Sequence, residues 1–170
     1  MKSNHKVGKE REMPHTHLYL IGSPIFFIII WFLDSSIFQV SIFFNNFILL
    51  IIRILIFIII LIIALSFIFI SHKTLFHSHE PPDHLIITGI FRFVRNPMYS
   101  GILLLYIALI FLSISLISIG IFVFIFVIYN KMVNYEEKIL EDDFGDEYRR
   151  YKETVPKWLP NPFKTLNNYS

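Results

Sequence analysis

The stretch His84-Leu-Ile-Ile-Thr-Gly-Ile-Phe-Arg-Phe-Val-Arg-Asn-Pro-Met-Tyr-Ser-Gly101 decides how this chain is read. It sets two arginines, a proline, two glycines and a tyrosine at the mouth of an apolar run that extends from Tyr99 to Tyr129. Pro97 suits the first turn of a helix, where its missing N–H would have no intrahelical acceptor and its fixed φ is already helical. A helix starting there presents amide groups and the positive end of its dipole to an anionic ligand group. Arg95 beside it can hold a carboxylate bidentately. Arginines and a tyrosine next to a span also serve as plain interfacial anchors, so this stretch needs a partner before it reads as a site.

Working outward, the Tyr99–Tyr129 run is too long for one untilted span. It weakens at Ser113-Ile-Ser-Leu-Ile-Ser118, with Gly120 just beyond. Serines and a glycine there predict a tight turn, and hence a helical hairpin. Upstream, Phe47 to Ile70 is a span interrupted only by Arg53. An arginine at that depth either snorkels to the near interface or is held by a buried partner, such as Asp34 or substrate. A first span runs from Leu18 to Leu33 and stops at Asp34-Ser-Ser, with Tyr19 and Trp31 at the headgroup levels. Residues 37–46, broken by Gln39, Ser41 and Asn45-Asn46, read as an interfacial connection. Beyond Lys131 the chain turns polar, while Ile139, Leu140 and Phe144 keep a helical spacing. An amphipathic helix is predicted there, reaching Gly145 or somewhat further.

Composition agrees with these spans. Of 170 residues, 55% are hydrophobic and only 16% charged, and mean hydropathy is +0.61. A soluble domain carries nearer a quarter charged residues. Basic residues, Arg53 apart, gather in the polar leader 1–17, the connection 71–98 and the tail. The positive-inside rule makes all three cytoplasmic, which requires an even number of spans. The expected fold is therefore one all-α integral-membrane domain over 1–170. It has two transmembrane helices in 18–70, two more as a hairpin, and a cytoplasmic C-terminal amphipathic helix. The polar leader is not followed by a small-residue cleavage pattern, so no signal peptide is expected. The absence of cysteine excludes disulfides, thiolate nucleophiles and cysteine-held metals. A net charge of +2 gives no case for nucleic acid. His72, His77, His79 and His84 share one loop without carboxylates at ligand spacing, so they read as solvated and no metal is expected.

The partner for the opening stretch is Glu136-Glu137-x-x-Leu140-x-x-x-Phe144-Gly145-x-Glu147-Tyr148-x-x-Tyr151. Alone it describes a solvated helix ended by a glycine. Yet Glu136 lies about two turns past the last span, on a hairpin that returns it to the level of residues 84–101. A carboxylate and several aromatic faces at that level suit a cation such as a sulfonium.

Together these two constellations resemble the C-terminal half of the isoprenylcysteine carboxyl methyltransferase and phospholipid methyltransferase superfamily, in the form of its small prokaryotic members. The resemblance covers residues 84–160, continues through Tyr151 to Val155 and Pro156, and makes that part the cofactor-binding half. It implies an S-adenosylmethionine-dependent membrane methyltransferase without a Rossmann domain. By similarity, His84, Leu85, Ile86 and Ile87 contact the adenosine, Phe91 lies against the cofactor, and Gly89, which can supply a backbone turn, is counted with the cofactor-binding residues. Asn96, Pro97 and Tyr99 continue the pocket, and Glu136 meets the amino-acid end. Arg95 is expected near the cofactor carboxylate and, with Glu136, as a catalytic residue. Position 96 holds Asn where the family has His, so no acid–base role falls to it. Met132, with Lys131 beside it, stands where eukaryotic enzymes place a substrate arginine, which makes both candidate substrate residues. The implied acceptor is a membrane lipid or prenylated molecule, most like the carboxylate of an isoprenylcysteine. A phospholipid amine and a thiol are the alternatives. More distant readings are a sterol-reductase-like protein using a nicotinamide cofactor, and a non-enzymatic membrane protein.

Overall fold

The computed structural model describes residues 16–75 and 84–160. Residues 1–15 of the leader, His77, His79 and Pro81-Pro82 lie outside them. The described residues form helices α1 (Thr16–Phe32), α2 (Leu50–Leu75), α3 (Pro97–Ser113), α4 (Leu116–Phe144) and α5 (Asp146–Thr154), with short helical turns between and no strand. Leu18–Phe38, Leu50–Leu75 and Leu116–Phe144 are each long and apolar enough to cross a membrane. The fourth apolar helix, α3, has 17 residues, or about 25 Å at 1.5 Å per residue. Large side chains such as Phe47, Phe69 and Phe124 point outward from the bundle. In water that surface would aggregate; in lipid it is the contact surface.

The first span does not stop at Asp34. It continues as a π-helical stretch over Leu33–Phe38, because the carboxylate is satisfied where it lies. Asp34 is 3% exposed and accepts the Ser41 N–H at 3.2 Å, the Ser41 hydroxyl at 2.5 Å and the Ser115 hydroxyl at 2.6 Å. Ser35 donates to Ser113 at 2.8 Å, tying the same end of α1 to the α3–α4 turn.

That turn is tight, as the serines predict, but its chemistry differs from expectation. The residue in the left-handed region is Ile114, with φ +42°, while Gly120 lies inside α4 facing open space. Ser115 caps α4 by accepting the Ser118 N–H at 3.0 Å. Asp34 and the cap together hold Ile114 where a glycine would otherwise be favoured.

Arg53 does not snorkel either. It is 9% exposed and donates through Nη1 to the Leu112 carbonyl at 3.0 Å, at the negative end of α3. Its recorded partner is thus backbone rather than Asp34. Trp31 also turns inward from the expected headgroup position, giving its Nε1–H to the Leu109 carbonyl at 2.9 Å.

Midway through the bundle the Ser23 hydroxyl lies 3.1 Å from that of Tyr106 and 2.8 Å from that of Tyr129, joining α1, α3 and α4. The α2–α3 contact is made by small residues. A Cβ on Gly101 would fall 2.7 Å from Ile68 Cγ1 and 2.9 Å from the Ala64 carbonyl, so only glycine lets the two helices close to this distance. The last glycine of the opening stretch is therefore a packing residue.

Gly101→Ala should destabilise the protein by about 1–3 kcal/mol through overpacking. Gly120→Ala, facing open space, should cost nothing measurable. Thermal unfolding of the two variants in the same detergent checks the contrast, and equal loss in both would remove the packing account.

Candidate functional site

The site forms where α3 begins, α4 leaves the apolar layer and the C-terminal tail folds back. Gly89, at φ +59°, opens a short helical turn over Gly89–Arg92. A Cβ there would meet nothing closer than Thr74 at 3.5 Å, so the demand for glycine comes from the backbone angle. The turn buries Phe91 and brings the chain to Asn96, from which α3 starts with Pro97 as its first residue. On the other side, α4 runs unbroken from the hairpin turn to Phe144. The chain then bends at Gly145 into α5, which lays Tyr148 and Tyr151 back against residues 85–91. The Tyr151 hydroxyl donates to the Phe91 carbonyl at 2.7 Å and fixes that return.

Arg95 is the joint between these pieces. Its Nε donates to Glu137 Oε1 at 3.1 Å and its Nη2 to Oε2 at 3.5 Å. Its Nη1 donates to the Val155 carbonyl at 2.9 Å and also to the Lys152 carbonyl. Its backbone N–H donates to the Pro156 carbonyl at 3.0 Å. An arginine side chain has five N–H groups, and four of them are taken by protein here. The side chains of the pair are 9% and 4% exposed. Asn96 Nδ2 donates to the same Glu137 Oε1 at 2.9 Å. The guanidinium expected to clamp a ligand carboxylate is thus bound first to a carboxylate of its own chain.

Around this joint lies a cleft with two lobes. The larger, about 260 Å³, is lined by Thr16, Leu20, Ser71, Leu75, Phe91, Arg95, Asn96, Pro97, Met98, Tyr99, Glu136, Ile139 and Leu140. The smaller, about 130 Å³, is lined by Leu75, His84, Leu85, Ile86, Phe91, Arg95, Leu140, Phe144, Tyr148 and Tyr151. Leu75, Phe91, Arg95 and Leu140 border both, which makes them lobes of one cleft. In the larger lobe the Tyr99 hydroxyl donates to Glu136 Oε1 at 2.5 Å, holding the carboxylate against the start of α3. In the smaller, burial and the nearby Glu137 charge raise both tyrosine hydroxyls above their ordinary range, with burial the larger cause. Both therefore stay neutral at any physiological pH.

Of the residues singled out in the sequence, His84, Leu85, Ile86, Phe91, Arg95, Asn96, Pro97, Tyr99 and Glu136 line this cleft. Ile87 packs instead on the cluster of Leu85, Tyr148, Tyr151 and Val155, and Gly89 acts in the turn. Met132 is fully buried in the main core and Lys131 is exposed; neither borders a lobe. The sequence reading passed over Glu137. The signal was present: Glu137 lies one turn beyond the core residue Val133, and an acid on a buried face calls for a cation. It also passed over the walls given by α1 and α2, namely Thr16, Leu20, Ser71 and Leu75, which no local pattern marks.

The chemistry of the lining fits a divided ligand. One lobe is apolar and aromatic, suited to a flat heterocycle. The other combines a carboxylate for an ammonium group, a helix N-terminus for a carboxylate, and aromatic faces for a sulfonium.

The phospholipid methyltransferase family matches residues 44–147, which spans the second helix through the Glu136–Glu137 pair. The chain belongs to that family. Among curated relatives it is 46% identical over 63 residues to an uncharacterized protein of Haemophilus influenzae, covering 36% of this chain and 100% of that one. It is 31% identical over 85 residues to the protein-S-isoprenylcysteine O-methyltransferase of Schizosaccharomyces pombe, covering 49% of this chain and 36% of the relative. A probable enzyme of the same name from Oryza sativa subsp. indica is 32% identical over 84 residues, covering 48% of this chain and 44% of the relative. The chain therefore matches less than half the length of these two methyltransferases. No solved structure matches it.

Removing one member of a buried ion pair leaves the other uncompensated, at about 3–5 kcal/mol. Arg95→Ala and Glu137→Gln should each lower thermal stability by that order. Arg95→Met combined with Glu137→Leu should recover much of the loss, as measured by unfolding of the three variants. Single variants as stable as the parent would remove Arg95 from its place as the joint.

Proposed function

We propose that this protein is a multi-pass membrane methyltransferase that uses S-adenosylmethionine to methylate a lipophilic acceptor at the cytoplasmic face. Four spans with both termini cytoplasmic fit the distribution of basic residues, with α3 as the short span. The observation that carries the reading is the two-lobed cleft with Glu136 in one lobe and the tyrosine-walled apolar surface in the other. His84, Leu85, Ile86, Phe91, Tyr148 and Tyr151 would hold the adenosine, and Glu136 the cofactor's ammonium group. The start of α3 and the remaining N–H of Arg95 would meet its carboxylate. When bound, the cofactor would supply an electrophilic methyl on a sulfonium, with the neutral thioether as leaving group.

The chain's own residues have to orient donor and acceptor and exclude water, and no protein nucleophile is needed. Arg95 acts largely through position, since it fixes Glu137, Asn96 and the tail that closes the cleft. Tyr99 aims the Glu136 carboxylate. Leu20 borders both the larger lobe and an apolar cleft of about 380 Å³ between α1, α2 and α3. That cleft gives a hydrocarbon chain a sideways route from the bilayer to the methyl.

The acceptor this supports best is the carboxylate of an isoprenylcysteine, the substrate named for the Schizosaccharomyces pombe relative. A carboxylate is already ionised at neutral pH and can accept a methyl without a general base. Asn96, which cannot titrate, is consistent with that. The family's phospholipid description favours a second reading, an amine headgroup. There the headgroup ammonium would have to lose a proton before transfer, and Glu136 is already committed to the cofactor's ammonium group.

Calorimetry on the detergent-purified chain tests the cofactor. S-Adenosylmethionine should bind, and Glu136→Gln should weaken it roughly ten- to a hundred-fold, the loss of one charge-assisted hydrogen bond. Binding of NADPH instead, or indifference to Glu136→Gln, would sink the reading. Radiolabel transferred to a farnesylated cysteine should be released as methanol by alkali. Label that survives alkali on phosphatidylethanolamine would select the amine.

A further inference from the structure

Against the α3–α4 hairpin lies a further hollow of about 270 Å³, sharing no lining residue with either lobe. Leu103, Leu104 and Ile107 of α3 and Phe122 and Phe126 of α4 form its walls, and Trp158 of the tail roofs it. The Trp158 ring packs on Phe126 with centroids 5.5 Å apart. Directly at the roof stands a cation: Lys157 Nζ lies 5.2 Å from the Trp158 ring centroid. That ammonium donates to Asn130 Oδ1 at 2.8 Å and Asn134 Oδ1 at 2.6 Å, both on α4 one turn apart. Because the two amides accept from lysine through oxygen, their NH₂ groups are left as donors around the same charge.

We propose that this groove is a binding site for an anionic phospholipid. One acyl chain lies between α3 and α4 under Trp158, and the phosphate meets Lys157 with the amides of Asn130 and Asn134. Charge complementarity selects this occupant. A hydrocarbon groove at the bilayer edge accepts any lipid chain, but a half-buried ammonium beside Trp158, with two of its three N–H groups given to Asn130 and Asn134 and one left to donate, discriminates for a negative headgroup. Burial lowers the Lys157 pKa and the Glu137 charge opposes this; an anion at the mouth would act in the same sense as Glu137 and favour the ammonium. The site also bears on the cofactor cleft. Lys157 and Trp158 directly follow Val155 and Pro156, whose carbonyls are held by Arg95, and the Trp158 carbonyl accepts the Ser100 hydroxyl at 2.7 Å. A lipid that seats the roof therefore steadies the same tail that closes the cleft.

The chain has two tryptophans, so Trp31→Phe leaves Trp158 as the reporter. The full-length variant is titrated in mixed micelles with phosphatidylglycerol, or with phosphatidylcholine of the same chains, each carrying brominated acyl groups that quench indole. Half-quenching should need about five-fold less phosphatidylglycerol, the preference one lysine supplies at a membrane surface, and high salt should narrow the gap. Lys157→Gln should abolish the preference and Lys157→Arg keep it. Leu104→Phe, which fills the groove, should weaken quenching by both lipids. Equal quenching by the two lipids, or a preference that survives Lys157→Gln, overturns the proposal. So does quenching that disappears as protein concentration rises, which would mean a second copy covers the groove. If Lys157→Gln does not fold, the salt response of the lysine-bearing chain and the Leu104→Phe result still decide. None of these readouts depends on methyl transfer.

Discussion

Arg95 is bound to two segments distant in sequence: its side chain bridges Glu137 on α4 and the carbonyls of Lys152 and Val155, and its backbone N–H reaches Pro156. Taking both charges out of water costs several kcal/mol per ion, and their attraction offsets this only when the hydrogen bonds are complete. Here they nearly are, since Glu137 also accepts from Asn96. An apolar pair of the same size could hold the segments together as strongly. It could not specify the orientation, because only a fork of N–H groups fixes the angle at which the tail crosses the start of α3. That angle sets where Tyr148 and Tyr151 stand, and so whether the smaller lobe exists.

The rest of the bundle is pinned in the same manner at two other depths. Inside a bilayer, helices gain little from hydrophobic burial against one another, because lipid tails are as apolar as leucine. Close contact and polar pins then decide the register. Gly101 against Ala64 provides the close contact. The hydroxyls of Ser23, Tyr106 and Tyr129 join three helices in mid-bundle, and Asp34 with Ser41 and Ser115 fixes the far turn. A helix that slid by one turn would break every pin in which it takes part. The cleft inherits its geometry from pins up to a whole span away.

How much of this could be read in advance follows from range. Residue patterns confined to one helix were legible: Pro97 as a first residue, the serine-marked hairpin turn, and the return of Glu136 to the level of residues 84–101. What depends on a partner elsewhere was not. Asp34 looked like a stop signal because an unsatisfied carboxylate ends an apolar helix, and its two serine partners are 7 and 81 residues away. Arg53 looked ready to snorkel because the Leu112 carbonyl that receives it lies 59 residues on. Glu137 was eclipsed by its neighbour: both are acidic, and only the 100° between successive helical positions separates the one that faces the cleft from the one that is buried.

That separation also explains why two adjacent acids are used rather than one. A single carboxylate held in a buried pair with Arg95 would have its oxygens occupied and its charge neutralised, leaving little attraction for a cationic ligand. A single carboxylate facing the cleft would leave Arg95 an unpaired buried cation and the tail unanchored. Glu137 takes the structural charge, while Glu136 accepts from Tyr99 and borders the cleft. Exchanging the two functions between positions is impossible without rotating α4 by about 100°. Such a rotation would drive Met132 and Val133 out of the core, where both are fully buried. The helix is therefore locked by its apolar face into the one orientation that divides the two acids between scaffold and site.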